Sequence, residues 1–283
     1  MEKHSIAHLE DICSQVRRDI VRMVHGVQSG HPGASLGCTE FFVSLYFHQL
    51  NHNSDFNMDG TGEDIFFLSN GHISPVWYSV LARSGYFDPK ELTTFRKINS
   101  RIQGHPATEE NLPGIRIASG SLGQGLSVAI GAALAKRLNN DKGTVYALMG
   151  DGEQQEGQVW EAAMAAPHHK VDNLIATIDV NRQQIDGPTD LIMNLLDLKA
   201  KWEAFGWEVI ETKKGNNITD VIAGLEKAKS LLGKGKPVLN LLHTEMGYGI
   251  DFMVGTHKWH GIAPSDEQLA TALNQLEETL GDY

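Results

Sequence analysis

Two polar residues thirty positions apart, Asp151 in Met149-Gly150-Asp151-Gly152 and Asn181 in Asp179-Val180-Asn181, carry the chain's clearest chemical signal. Each directly follows an apolar run that reads as a buried strand. In a parallel sheet the crossover helix carries the chain back, so the ends of successive strands share one edge. Asp151 and Asn181 are therefore expected to face each other across one crevice, where open α/β sheets bind their ligands. A carboxylate and an amide oxygen suit Mg²⁺, which takes oxygen ligands and leaves positions for the phosphates of a bound molecule. Gly150 and Gly152 let backbone approach those phosphates with no Cβ in the way. A Gly-Asp-Gly turn alone would be ambiguous; the crossover and the second strand end give it meaning.

The elements that must position these residues are legible in outline. Leu9, Ile12, Val16, Ile20, Met23 and Val27 recur at spacings of three and four, which predicts a helix ending at Ser29-Gly30-His31-Pro32-Gly33. Thr39 to Leu50 reads as a second helix. Runs at Asp64–Leu68, Thr144–Met149, Leu174–Val180, Trp207–Thr212 and Pro237–His243 are apolar through their centres without alternation, as in strands buried on both faces. Helical patterns at Leu122–Leu138, Val159–Ala166 and Ile218–Leu232 lie between them. Strand and helix in alternation predict an α/β fold, a doubly wound, mostly parallel sheet with helices on both faces. Ser265-Asp266-Glu267-Gln268 has the form of a capping box, opening a last helix whose apolar stripe is Leu269, Leu273, Leu276 and Leu280. With no repeat or long linker, residues 1–283 are expected to form one domain.

Composition narrows the function classes. The formal net charge of -11, from 35 acidic and 24 basic residues, argues against a nucleic-acid surface. No apolar run reaches the roughly 18 residues of a membrane span. The start MEKHSIAHLEDICSQV is polar and mixed in charge, unlike a signal peptide. The two cysteines, Cys13 and Cys38, stand in apolar contexts and read as buried free thiols in a reducing compartment. A cytoplasmic protein is expected.

The Gly150–Asn181 segment resembles the thiamine diphosphate signature, which opens with Gly-Asp-Gly and closes with Asn about thirty residues later. The resemblance implies a thiamine-diphosphate-binding fold of the diphosphate-binding type. It implies metal ligation by the side chains of Asp151 and Asn181 and by the backbone carbonyl of Gln183. The cofactors implied are thiamine diphosphate and Mg²⁺, or another divalent cation such as Ca²⁺ or Mn²⁺. Four histidine segments narrow the family: Ser29-Gly30-His31-Pro32-Gly33, Ser69-Asn70-Gly71-His72, Gly104-His105-Pro106, and Gly255 to Gly261 with His260. With the loop SGSLGQG at Ser119 to Gly125, they are similar, in order, to motifs of the transketolase family across residues 29 to 261.

By that resemblance His31 and His260 act near the substrate hydroxyl that loses its proton, and His105 holds the C1 hydroxyl. His72 stands by the diphosphate. Gly120, Ser121, Leu122, Gly150, Gly152, Glu156, Asn181, Ile185 and His260 would contact the cofactor. Imidazole titrates near neutral pH and can take and return a proton in one cycle. Glu156 and Glu161 match acidic residues of the family's dimer interface, with solvated helix charge as the competing reading. His168 and His169 read as solvent-facing, and His257 receives no catalytic part. Ser121 departs from a position that is often Pro, and the stretch Asn181 to Gly187 is atypical in its middle.

Nothing in the chain reads as the family's second half, with its pyrimidine-binding and C-terminal domains. The expectation is the N-terminal subunit of a split, two-gene transketolase, working in a heterotetramer that holds two copies of this chain and two of a separate C-terminal subunit. It would transfer a two-carbon ketol unit between sugar phosphates, without nucleic acid or membrane. Competing readings are a 1-deoxyxylulose-5-phosphate synthase relative, the first component of a 2-oxo acid dehydrogenase, a subunit for specialised sugars such as apulose or a sulfosugar, and a non-catalytic cofactor-binding module. A dinucleotide site is disfavoured, because Gly123-Gln124-Gly125 follows no strand.

Overall fold

A computed structural model describes residues 4–283. Helix α1 (Ile6–Gly26) opens on Ser5, whose hydroxyl accepts from the His8 amide, and buries Leu9, Ile12, Val16, Ile20 and Val24 along one face. After the glycine-rich break the chain turns straight into a short helix, α2 (Pro32–Gly37), with proline at its start, where the missing N–H has no partner to lose. The stretch expected as one helix is divided. Helix α3 (Thr39–Ser44) passes into a π-helical turn at Leu45–Gln49, in which the Leu50 amide bonds the Leu45 carbonyl. Strand β1 (Ile65–Leu68) and helix α4 (Ser74–Arg83) follow. Then come α5 (Gly125–Leu138), β2 (Val145–Gly150), α6 (Gly157–His168) and β3 (Leu174–Val180). A small antiparallel pair, β4 (Gln183–Gln184) and β5 (Gly187–Pro188), leads to α7 (Thr189–Ile192) and α8 (Leu198–Ala204). The chain completes with β6 (Glu208–Thr212), α9 (Ile218–Ser230), β7 (Val238–His243) and α10 (Asp266–Gln275).

The five long strands form one parallel sheet in the order β1-β2-β3-β7-β6. From β1 through β6 the crossovers advance in one direction, and from β6 to β7 the chain steps back. With right-handed crossovers, that reversal places α9 on the face opposite α5, α6 and α8. Accordingly α9 packs on α1 and α3, while Trp160 of α6 lies 5.5 Å from Trp202 of α8, ring centre to ring centre. The expected α/β architecture with helices on both faces is what the structure shows. Trp77, Trp202, Phe41 and Phe42 are among the largest side chains fully buried beside the sheet. Each contributes of the order of 1.5–3 kcal/mol by leaving water.

Three expectations are corrected. The sequence predicts Trp207–Thr212 as a strand buried on both faces, but β6 is the sheet's edge and Glu208 and Glu211 are exposed. The capping box at Ser265 and Gln268 is present, yet α10 ends at Gln275, so Leu276 and Leu280 lie beyond it in non-helical chain. Helix α5 starts at Gly125, leaving Leu122 in the preceding loop. Cys13 and Cys38 are both buried and free, and His168 and His169 are exposed. No helix among the described residues is long and apolar enough to cross a membrane.

Candidate functional site

Register brings the polar residues together. Gly150 of β2 pairs with Asp179 of β3, and the Asp151 amide bonds the Asp179 carbonyl at 3.1 Å. One residue past each strand the chain opens into a crevice of about 280 Å³. Its walls include Asp151, Asn181 and Gln183 at one end and His31, His72 and His260 at the other. Gly120, Leu122, Gly150, Gly152, Glu156 and Ile185 also line it. Ser121 lies just outside that lining and is exposed. Glu161 is exposed on α6 and away from the crevice lining.

At the carboxylate end, Asp151 accepts from the backbone amides of Gly152 at 2.7 Å and Arg182 at 2.5 Å. Burial pushes its carboxyl up to about 8, and the negative charge of Asp179 adds to the push. Asp179 is fully buried and accepts from the Thr244 hydroxyl and from the Asn181 amide nitrogen, the latter at 2.7 Å. This fixes which way the Asn181 amide points: its nitrogen is held by Asp179, and its oxygen turns to the Gln183 amide at 2.9 Å. Burial also raises the Asp179 carboxyl, against hydrogen bonds from Thr244, Cys38 and Asn181. The Asp151 carboxylate and the Asn181 amide oxygen that Asp179 orients are oxygen donors, the kind a hard divalent cation takes. The side-chain oxygens of Asn70 and Gln183 are buried in the same crevice without any donor. Buried acceptors left unmatched are costly and rare, so the crevice fits a cation with a hydrogen-bonding ligand.

The histidine end is assembled from four distant segments. The His31 ring centroid lies 5.1 Å from His72, 5.6 Å from His260 and 6.3 Å from His105, and His72 is 5.1 Å from His260. His31 is held as the residue that caps α2, with its backbone carbonyl accepting from the Ser35 hydroxyl at 2.7 Å. His105 packs against Gly120. Its ring would lie 2.8 Å from a Cβ there, and Gly120 has φ of +135°, so a side chain is excluded twice over. Burial lowers the His31 imidazole to about 4, with His260, Arg96 and His105 lowering it further. Burial likewise lowers His72, His105 and His260. The Nδ1 atoms of His31 and His260 are buried and unmatched. Neutral imidazoles with a free ring nitrogen can accept a proton from a hydroxyl and give it back.

Two residues carry the site's shape without having been singled out from sequence. Glu153 is buried in the turn after β2, where its carboxylate accepts from the Ser69 hydroxyl, the Gly123 amide at 2.7 Å and the Gly150 amide at 3.1 Å. It ties the end of β1, the loop at residues 119–125 and the end of β2 into one wall. Asp179 is the other, and the sequence did hold a signal for it: an acid inside the otherwise apolar run Leu174–Val180.

Residues 9–279 match the family model described as "Transketolase, thiamine diphosphate binding domain". The chain is similar to one subunit of the apulose-4-phosphate transketolase of Phocaeicola vulgatus, with 37% identity over 93% of this chain and 92% of that protein. It is also 36% identical to the 6-deoxy-6-sulfo-D-fructose transketolase subunit SqwG of a Clostridium species, covering 95% and 96% of the two chains. Among solved structures, the transketolase of Campylobacter jejuni superposes with a TM-score of 0.88 at 34% identity, over 96% of this chain and 43% of that one. The chain thus spans less than half of that transketolase and nearly all of the two subunits.

Proposed function

Because the chain belongs to the transketolase family, we propose that it is the diphosphate- and metal-binding subunit of a two-chain transketolase. In this reading it moves a two-carbon ketol unit from a ketose phosphate to an aldose phosphate. The observation that carries the reading is one crevice lined by oxygen ligands and by His31, His72 and His260, with His105 clustered beside His31. Relatives of matching length are themselves named as subunits, which supports a separate partner chain.

Asp151, Asn181 and the Gln183 carbonyl hold Mg²⁺ or a similar divalent cation. Gly150, Gly152, His72 and Glu156 line the diphosphate's place, and Gly120, Ser121, Leu122 and Ile185 flank the rings. When bound, thiamine diphosphate supplies the carbon nucleophile and electron sink for breaking the bond beside a ketose carbonyl. The chain's own task is then proton management. His31 and His260, neutral at pH 7, take the proton from the substrate hydroxyl and return it to the acceptor's new hydroxyl. His105, the most open of the four, holds the hydroxyl at the other side of the carbonyl. Residues 1–283 act as one domain of a cytoplasmic heterotetramer, with two copies of this chain and two of a partner that supplies the pyrimidine-binding domain.

The test mixes this chain with the product of a neighbouring gene, thiamine diphosphate and Mg²⁺, and follows transfer from xylulose 5-phosphate to ribose 5-phosphate. Apulose 4-phosphate and 6-deoxy-6-sulfofructose are run in parallel, the two sugars for which the relatives are named. Transfer in the mixture and in neither chain alone is the expected result. Activity of this chain alone would overturn the two-chain reading, and carbon dioxide release from pyruvate would overturn ketol transfer.

A further inference from the structure

Asp179 is wholly buried near the end of β3, and three donors from distant parts of the chain converge on its carboxylate. They are the Asn181 amide nitrogen at 2.7 Å, the Thr244 hydroxyl and the Cys38 thiol. All three are neutral groups, so what they give the carboxylate is direction. Each leads to a different part of the site. An amide oxygen has two lone pairs, so the Asn181 oxygen keeps one after accepting from the Gln183 amide. With its nitrogen held by Asp179, that amide cannot turn round and present N–H groups to a cation. Thr244 is the first residue after β7 and opens the segment that reaches His260. Cys38 closes α2, the helix that His31 opens. These two segments are also locked on each other. The Gly247 amide donates to the Gly33 carbonyl at 2.8 Å, and a Cβ on Gly33 would fall 2.7 Å from the Met246 side chain and 2.8 Å from the Trp259 carbonyl.

We propose that Asp179 is the positioning residue that sets the cation end and the histidine end of the crevice in one frame. It turns the Asn181 oxygen toward the cation, and through Thr244 and Cys38 it fixes where His260 and His31 stand relative to that oxygen. The proposal rests on the transketolase reading of the site. Asp179 acts through its three donors and takes no part in the proton transfers. Partners of metal ligands set the ligands' orientation, and losing one costs roughly ten- to a hundredfold in metal affinity.

The test compares Asp179→Leu, which matches the shape and accepts nothing, with Asp179→Asn, which keeps an oxygen for the Asn181 amide. Mn²⁺ is titrated into the full chain with thiamine diphosphate and followed by electron paramagnetic resonance. Asp179→Leu should weaken Mn²⁺ binding roughly tenfold or more, and Asp179→Asn should stay within about threefold of the parent. Without ligand, the ring-proton NMR signals of His31 and His260 should move in Asp179→Leu and match the parent in Asp179→Asn. Those of the exposed His168 and His169 should stay in place in both. If Asp179→Leu does not fold, Thr244→Val carries the comparison: loss of one hydroxyl should move the His260 signals and leave His168 unmoved. No Mn²⁺ binding by the parent, parent-like binding in Asp179→Leu, or an equal loss in both Asp179 variants would overturn the proposal. So would His31 and His260 signals that stay in place in Asp179→Leu, or a His260 signal unmoved in Thr244→Val. None of these readouts uses transfer activity, so failure of transfer in the parent assembly would refute the functional reading by itself.

Discussion

His31 shows how burial sets chemistry at a single residue. Its imidazole is lowered to about 4 from an ordinary 6.5. Between those values the unfolded chain binds a proton that the folded chain refuses, so stability should fall as pH drops from 6.5 toward 4. His31→Gln, which cannot titrate, should flatten that slope in urea midpoints measured at pH 7.5 and pH 5. A slope unchanged from the parent would show that His31 does not carry it. At this scale the sequence was generous with residues flanked by glycine and mute about those defined by their partners. Asp151, Asn181 and the four histidines announce themselves through flanking glycines and strand ends. Glu153 reads as an ordinary turn acid until the loop at residues 119–125 is seen to fold over it. Arg96 reads as surface charge until Gly104 is found beneath it.

Among elements, the strands were legible because their apolar runs are short, continuous and bounded by polar turns. Helix α4 was not, because Ser74 to Ala82 are all buried and an element buried all round has no polar face to set a period. The π-helical turn at Leu45–Gln49 was also hidden, since one extra residue per turn leaves no mark in hydrophobic spacing. Helix α1 illustrates pairing that no local pattern contains. Arg18, nearly buried, bonds Asp282 at 2.7 Å and the Leu276 carbonyl at 2.7 Å, and Gln15 also donates to Asp282 at 3.0 Å. The Arg18 hydrogen bond holds the Asp282 carboxyl well below the usual carboxylate range. Asp282→Ala should therefore cost about 2 kcal/mol, because it strands a buried guanidinium. Glu203→Ala, which breaks the exposed pair with Lys199, should leave the midpoint essentially unmoved. Equal shifts in the two denaturation midpoints would show that the tail is not held this way.

For the whole molecule, the segment beside the site bears on assembly. Leu191 and Leu196 are 81% and 76% exposed, and Ile185 and Met193 are exposed near them. Gln155, which lines the crevice, donates to the Met193 carbonyl at 2.9 Å and so links this apolar surface to the site. A partner chain completing the site would cover it. Leu191→Asp with Leu196→Asp should weaken association by roughly 1–2 kcal/mol per side chain, read by sedimentation of the mixture, with the chain's own fold retained. Unchanged association would move the interface elsewhere. The four imidazoles carry a kinetic consequence as well. They come from segments running from residue 31 to residue 260, so the cluster exists only once nearly the whole chain has closed on itself. Contacts this far apart in sequence are slow to form. A fragment that ends before residue 260 lacks one of the four imidazoles. Competence should arrive in one late step, together with the last of the native fluorescence.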